Sequence, residues 1–198
     1  MSSFPCVALK VEEVQPHQTN ALRILLTAAL AFVATAAPAT AYSDFSAANL
    51  AVGLVLCAAL TALTTIDILT FRLPDALTLP LLAAGCLLSY YELPTFYDRV
   101  CGAVVGYLLL WAVSVGYRLV RGQAGLGLGD AKLLGAAGAW TGWDQIPAIL
   151  LLASVLGLAF ALLAQVSGAR LTRQTRLAFG PFLALAFWLD WQYVAWLN

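Results

Sequence analysis

The sequence has 198 residues, of which 62% are hydrophobic and only 10% are charged, and ten basic residues balance ten acidic ones. Soluble domains carry about 25% charged residues, so this composition excludes a soluble globular protein and a disordered chain. The zero net charge argues against a nucleic-acid partner. An integral membrane protein remains, in which roughly six to eight spans of about 20 residues leave no room for a sizeable soluble domain.

A polar tail, residues 1–20, precedes seven apolar segments that we interpret as membrane spans. In chain order they are Ala21–Ala41, Ala47–Ile66, Ala76–Tyr91, Val100–Tyr117, Ala131–Trp143, Ile146–Val166 and Leu177–Leu197. The fifth segment rises only about 20 Å, less than a bilayer core of about 30 Å, so it must be tilted, covered by a loop, or buried in the protein. The predicted fold is an all-α, polytopic transmembrane bundle of about seven spans over residues 21–198.

The distribution of charge between the connecting loops predicts the orientation. If the tail is cytoplasmic, nine of the ten basic residues fall on the cytoplasmic side and only Arg99 falls outside, as the positive-inside rule requires. The first segment also resembles a signal-peptide core, because the apolar stretch Leu25–Ala36 is followed by small residues up to Ala41. We expect it to be retained as a helix, since the polar leader before it is long for a signal peptide.

Cysteine and histidine are too few and too scattered to form a metal site. The cysteines are Cys6, Cys57, Cys86 and Cys101, none of which forms a C-x-x-C pair, and the only histidine is His17 in the tail. Zinc sites need clustered soft ligands, so we expect no metal and no cofactor. Nucleophilic catalysis by a Ser–His or Cys–His pair is disfavoured because the single histidine lies in the tail. Acid–base chemistry would have to use carboxylates or lysine.

Two aspartates lie where apolar segments end or begin. Asp67 directly follows the apolar run Leu54–Ile66, and Asp130 directly precedes the fifth segment, so both are expected at the cytoplasmic ends of their helices. Ionisable residues at membrane depth are costly and usually functional. Two carboxylates that share a site cannot easily both ionise, so one can act as a base while the other donates a proton. Such a pair can hydrolyse a peptide bond without a metal or a nucleophilic side chain.

Simpler structural roles stay open for both aspartates. Asp67 could end its helix and pair with Arg72, and Asp130 could cap the fifth helix. The glycines in the stretch Gly125–Gly129 could offer open backbone to an extended substrate strand. They could instead cradle a phosphate at the helix N-terminus, although the Walker spacing is absent.

Three further features lie near these positions. Asp75 opens the third segment, where we expect it to cap the helix, and it competes with Asp67 for the catalytic role. Lys132 could bias the protonation of Asp130 or extend to the membrane interface. The stretch Phe179–Phe182 contains a Gly-Pro pair that would kink or unwind a helix start, and it could be a hinge or face the substrate.

Three motifs, in this order along the chain, resemble those of bacterial prepilin peptidases, also called type IV leader peptidases. Gly127-Leu128-Gly129-Asp130-Ala131-Lys132-Leu133 resembles the family's G-x-G-D-x-K-L signature. The region Asp67–Asp75, followed by Leu77-Thr78-Leu79-Pro80, resembles its other aspartate region. Phe179-Gly180-Pro181-Phe182-Leu183-Ala184 resembles its F-G-P-F-L-A stretch, so the resemblance covers residues 67–184.

The resemblance implies a membrane aspartic endopeptidase of the bacterial inner membrane, in which Asp67 and Asp130 correspond to the two catalytic aspartates. We expect support from Gly127, Gly129, Lys132 and Asp75, and substrate contacts from Phe179, Gly180 and Pro181. The implied substrates are prepilins or pseudopilins, whose short basic leader is cut on the cytoplasmic side just after a glycine. The implied partners are therefore these substrates, the lipid bilayer, and a pilus or type II secretion machinery.

Full-length members of that family add a cytoplasmic domain with paired C-x-x-C motifs, linked to zinc and N-methylation, to which nothing here corresponds. We therefore expect the peptidase part alone, without N-methyltransferase activity of its own. Two other classes of function stay open. One is a small proton- or cation-coupled transporter that uses Asp67 and Asp130, and the other is a non-catalytic assembly factor of a secretion machine.

Overall fold

The structure of the chain, a computed structural model, describes residues 47–89, 93–122, 127–167 and 178–197. In these ranges the helices are α1 (Ala47–Thr70), α2 (Asp75–Leu88), α3 (Leu93–Arg121), α4 (Leu128–Thr141), α5 (Ile146–Val166) and α6 (Gly180–Leu197). No β-strand occurs among the described residues, so the all-α prediction is confirmed for that part of the chain. The polar tail and the predicted segment Ala21–Ala41 lie outside the described residues.

Three of the described helices are long and apolar enough to cross a membrane. These spans are Ala51–Thr70 in α1, Thr95–Val120 in α3 and Ile146–Val166, which is α5. Helices of this kind are typical of a membrane protein. The count of about seven spans stays a prediction, since α2 and α4 have only 14 residues each, and such helices rise about 21 Å against a bilayer core of about 30 Å.

Helix α4 lies inside the bundle, where it packs most extensively against α3 and also contacts α2, α5 and α6. Every residue of α4 from Asp130 to Thr141 is buried except Lys132. Of the three arrangements that the sequence allows for this short segment, the structure shows the one in which the protein surrounds it. The first turn of α4 therefore carries Asp130 into the interior.

Glycines allow the backbones of α3 and α4 to touch. A Cβ placed on Gly102 of α3 would lie 2.9 Å from the carbonyl carbon of Gly138 in α4, and a Cβ on Gly138 would collide with the carbonyl oxygen of Gly102. One turn further along α3, a Cβ on Gly106 would lie 2.6 Å from the carbonyl oxygen of Leu134. Small residues four positions apart are the usual means by which membrane helices approach each other closely.

Helix α2 is held against α4 by a hydrogen bond and a close contact. The indole Nε1 of Trp140 donates a hydrogen bond of 2.8 Å to the carbonyl oxygen of Leu81. A Cβ placed on Gly85 would lie 2.8 Å from the backbone of Ala139. Because a buried indole N–H needs a partner, this bond fixes the position of α2 along α4.

The buried face of α1 directs Asp67 into the bundle. Leu56, Leu60 and Leu63 are fully buried, and Asp67 continues the same face. The spacing of three and four residues places these side chains one above another on one side of the helix. Helix α1 also extends past the predicted end at Ile66, so Asp67 lies in its last turn rather than after it.

Replacing Gly102 by alanine should destabilise the protein, because the added methyl group would meet the backbone of Gly138. Overpacking a close-packed interior costs about 1–3 kcal/mol. Among the described residues, no atom lies within 4 Å of a Cβ placed on Gly116 of α3, so Gly116→Ala is the matched control and should leave stability unchanged or raise it slightly. The measurement is the melting temperature of both variants in the same detergent; equal values would contradict the close contact of α3 and α4.

Candidate active site

Asp67 lies in the last turn of α1 and is only 5% exposed. The backbone N–H of Gly180, the first residue of α6, points towards its carboxylate. Within the part of the chain that the structure describes, the Oδ2 atom has no hydrogen-bond partner. A buried carboxylate oxygen without a partner in the protein is costly.

Asp130 lies in the first turn of α4 and is 7% exposed. The helix begins after Gly127, whose backbone N–H points towards the Asp130 carboxylate. A Cβ placed on Gly127 would lie 3.6 Å from Oδ2 of Asp130, which is an ordinary contact distance. The positive end of α4 thus faces an acidic side chain, which is the favourable arrangement for a helix N-terminus.

The glycines that neighbour the two aspartates share one contact, the side chain of Leu73 in the connector between α1 and α2. A Cβ on Gly129, the residue before Asp130, would lie 2.9 Å from Cβ of Leu73. A Cβ on Gly180 would lie 3.3 Å from Cδ1 of Leu73 and 2.9 Å from Cγ of Asp67. The charges of Asp67 and Asp130 act on each other. The structure therefore brings the two aspartates together, although they come from different helices.

This arrangement suits general acid–base chemistry. Two neighbouring buried carboxylates cannot both carry a charge at low cost, so one of them keeps a proton. A pair in that state can take a proton from a water molecule with one oxygen and give a proton to a substrate with another. Their titration would belong to the pair rather than to either residue alone.

The simpler structural roles considered for the two aspartates are not those that the structure shows. Arg72 is exposed and forms no ion pair with Asp67. The residue at the N-cap of α4 is Gly127, which has no side chain to form a cap bond. Asp130 therefore follows the cap and directs its carboxylate towards the interior of the bundle.

Asp75 and Lys132 form an ion pair at the edge of this site. Nζ of Lys132 lies 2.5 Å from Oδ1 of Asp75, and the two side chains are 29% and 58% exposed. The expectation that Asp75 caps its helix is wrong, because the N-cap of α2 is Pro74 and no side-chain cap bond is present. Instead of capping α2, the carboxylate of Asp75 is bonded to Lys132, and this bond joins the start of α2 to the start of α4. Among the described residues, the ion-pair partner of Lys132 is therefore Asp75 and not Asp130.

The stretch Phe179–Pro181 contacts the protein itself. Gly180 is buried and faces Asp67, whereas Phe179 and Pro181 are half-buried. The carbonyl oxygen of Phe179 accepts hydrogen bonds of 3.1 Å from the backbone N–H groups of Phe182 and Leu183. These bonds form the first turn of α6. The sequence offered either a hinge or a substrate-facing role for this stretch, and the substrate contact stays a prediction. The contact between Gly180 and Asp67 was not anticipated. The part of the glycine-rich stretch before Gly127 lies outside the described residues.

One buried carboxylate was not singled out by the sequence analysis. Asp190 in α6 is 9% exposed, and its Oδ2 has no hydrogen-bond partner in the described ranges of the chain. It lies ten residues after Gly180, or about 15 Å along the helix axis, so it cannot join the pair near Gly180. The signal was available in the sequence as a single charge within the apolar run Leu183–Trp191, where ionisable residues are costly.

Comparison with known proteins gives one family. A model described as the type IV leader peptidase family matches residues 54–162, a range that contains Asp67 and Asp130 but not Gly180. Several curated relatives carry the name prepilin leader peptidase/N-methyltransferase. The one from Escherichia coli (strain K12) is 47% identical over 146 residues, which cover 73% of this chain and 64% of the relative.

Two other relatives of the same name show a similar match. The protein from Burkholderia pseudomallei (strain K96243) is 47% identical over 156 residues, which cover 78% of this chain and 50% of the relative. The protein from Aeromonas hydrophila is 42% identical over 137 residues, which cover 69% of this chain and 47% of the relative. The chain thus spans about half to two thirds of the length of these curated relatives. No solved structure matches it.

The ion pair between Asp75 and Lys132 should contribute little to stability, because its carboxylate is mostly exposed. In a double-mutant cycle of Asp75→Asn and Lys132→Gln, we expect a coupling energy below about 1 kcal/mol that falls as salt is added. The melting temperatures of the four proteins at two salt concentrations give this value. A coupling energy above about 2 kcal/mol that does not respond to salt would show that the pair is shielded from water.

Proposed function

The chain belongs to the type IV leader peptidase family, and we propose that it is a membrane aspartic endopeptidase that removes the short basic leader from type IV prepilins or pseudopilins. The observation that carries this proposal is the meeting of two buried carboxylates, Asp67 and Asp130, inside the matched range. The relatives named prepilin leader peptidase support the choice of substrate. The proposal covers peptide cleavage only, and the N-methyltransferase activity in the relatives' names is said of those proteins alone.

In the proposed reaction, the ionised carboxylate of the pair takes a proton from a water molecule, and the water oxygen attacks the scissile carbonyl carbon. The protonated carboxylate gives its proton to the carbonyl oxygen, which leaves a tetrahedral diol. As the C–N bond breaks, the first carboxylate gives its proton to the leaving nitrogen. The second carboxylate takes back a proton from one diol hydroxyl, so the pair returns to its starting state.

We propose that this chemistry takes place at the cytoplasmic face of the inner membrane. The support is the charge pattern, with nine of ten basic residues on the predicted cytoplasmic side, as the positive-inside rule requires. The basic leader would remain in the cytoplasm, since moving each lysine or arginine to the membrane centre costs at least about 2.5 kcal/mol. The apolar segment that follows the cut would remain in the bilayer.

The backbone beside Asp130 offers the substrate a place to lie. Gly127 and Leu128 are exposed, whereas Gly129 is covered by Leu73. We propose that the small residue before the cut lies against Gly127 and Leu128, and that the residues after it lie near the start of α6. An extended segment is suited to this position because open backbone at a glycine can pair with it.

The pair can be tested by neutral variants that keep the size of the side chain. Asp67→Asn and Asp130→Asn should each reduce cleavage of a co-expressed prepilin by at least about 1,000-fold, because asparagine can serve neither as base nor as acid. Asp98→Asn, the same change at an exposed position of α3, is the matched control and should cut at the normal rate. Leader loss is followed by the shift of the pilin on a gel, and membrane insertion is checked by fractionation.

The same assay separates Asp67 from Asp75, its competitor in the sequence analysis. Asp75→Asn should retain most of the activity, because Asp75 is 58% exposed and bonded to Lys132. If Asp75→Asn abolished cleavage while Asp67→Asn did not, the two residues would exchange roles. If both Asp67→Asn and Asp130→Asn cut normally, the two-carboxylate mechanism would be wrong.

A mechanism that uses only carboxylates should not respond to chelators. Among the described residues, no three His, Cys, Asp or Glu side chains lie close enough together to hold a metal ion. Cleavage by the purified protein should therefore be unchanged after incubation with EDTA or 1,10-phenanthroline. Loss of activity with either chelator, followed by recovery when zinc is added, would contradict the proposed mechanism.

A further inference from the structure

At the start of α6, one backbone N–H group is directed towards Asp67. The N–H groups of Phe182 and Leu183 donate to the carbonyl oxygen of Phe179, and Pro181 has no N–H group. Gly180 supplies the N–H that points towards the Asp67 carboxylate. The positive end of a helix also favours a nearby acidic group, so α6 begins where its dipole can act on Asp67.

No side chain larger than hydrogen fits at position 180. A Cβ placed on Gly180 would collide with Oδ2 of Asp67 and would lie 2.9 Å from its Cγ. The carboxylate therefore rests directly against the backbone of α6. Because Gly180 is buried, it acts on Asp67 from inside the bundle.

Leu73 lies between the two glycines that neighbour the carboxylates, Gly129 at the start of α4 and Gly180 at the start of α6. Its side chain lies against Gly129, next to Asp130, and against Gly180, next to Asp67. The side chain thus fills the space between the first turn of α4 and the start of α6. A change in its volume would alter how closely those two elements approach each other.

The connector that holds Leu73 has a defined path. The N–H of Phe71 donates a hydrogen bond of 2.8 Å to the carbonyl oxygen of Asp67, which closes the last turn of α1. Phe71 has a φ of 52°, in the left-handed region that glycine usually occupies at a helix end. This conformation turns the chain back towards the bundle two residues before Leu73, and non-glycine residues adopt it only where the surroundings hold them there.

We propose that Gly180 and Leu73 are positioning residues for the two aspartates. Gly180 fixes the Asp67 carboxylate against the start of α6, and Leu73 sets the distance between the carboxylates of Asp67 and Asp130. The inference rests on the proposed function, since the pair has to be catalytic for its geometry to matter. Neither residue exchanges protons. Both act by holding the two carboxylates where they can share one water molecule and one substrate carbonyl.

The first test is kinetic and uses purified protein with a prepilin of the type proposed above. Gly180→Ala and Leu73→Ala should each lower kcat by roughly 100-fold, the effect expected of a misplacement of about 1 Å, while KM stays within about twofold of its normal value. Leu73→Met keeps the side-chain volume and should restore most of kcat. Gly157→Ala is the control for position 180, since its Cβ would lie 3.6 Å from the ring of Phe182, an ordinary contact, and it should leave kcat unchanged.

The second test measures the contact itself and does not depend on activity. Gly180→Ala should lower the melting temperature by several degrees in the normal protein. In an Asp67→Ala background, the carboxylate that meets the new methyl group is gone, so the same change should have a much smaller effect. This coupling between positions 180 and 67 is specific to direct contact, because general damage to α6 would appear in both backgrounds.

The outcomes distinguish this inference from the proposed function. If the normal protein leaves the prepilin uncut but the melting temperatures show the coupling, the proposed function fails and the contact between Gly180 and Asp67 stands. If the coupling is absent, or Gly180→Ala has a normal kcat, the positioning role of Gly180 is overturned. If Leu73→Ala raises KM and leaves kcat unchanged, Leu73 contacts the substrate and does not space the pair.

Discussion

The bundle depends on the direct contact of two helix backbones. At Gly102 and Gly138, α3 and α4 approach so closely that neither residue could carry a side chain. This contact lets α4, a helix of 14 residues, lie within the protein with nearly all of its side chains buried. In a membrane, where the lipid is as apolar as the helices, such packing supplies much of the force between them. A short helix placed in this way brings its first turn, and with it Asp130, into the interior instead of leaving it at the surface.

Burying two carboxylates together is energetically costly, and the residues around them offset only part of that cost. The leucines of α1 place Asp67 on the buried face of the helix, and the start of α6 offers it the dipole and one N–H. That is little compensation for a buried acid, and no other described residue donates a hydrogen bond to its Oδ2. Proteins tolerate such groups chiefly where function requires them. By contrast, Asp75 has an ion-pair partner and is 58% exposed, so its environment is that of a structural residue.

The helices of the described residues, and the positions of the two aspartates at helix ends, could be predicted from sequence because both depend on local pattern. Long apolar runs specify helices in a membrane, and the position of an acid at the edge of a run specifies which end of the helix it occupies. The contacts between elements could not be predicted in this way. Lys132 lies 57 residues from Asp75, and nothing in its surroundings in sequence favours that partner over Asp130, two residues away. The left-handed conformation of Phe71 was equally hidden, since the sequence signal for such a turn is a glycine.

The glycines of the site show why a motif alone does not reveal what each of its residues does. Gly127 and Gly129 stand two positions apart in one signature, but a Cβ on Gly127 would make an ordinary contact of 3.6 Å, whereas one on Gly129 would press against Leu73 at 2.9 Å. Gly180, far along the chain, is the glycine in closest contact with a carboxylate. The physical reason for glycine therefore differs at each position: open backbone at Gly127, room for the spacer Leu73 at Gly129, and direct contact with Asp67 at Gly180. Gly129 and Gly180 decide how closely α1, α4 and α6 approach one another, and the proposed catalytic geometry therefore depends on these two glycines.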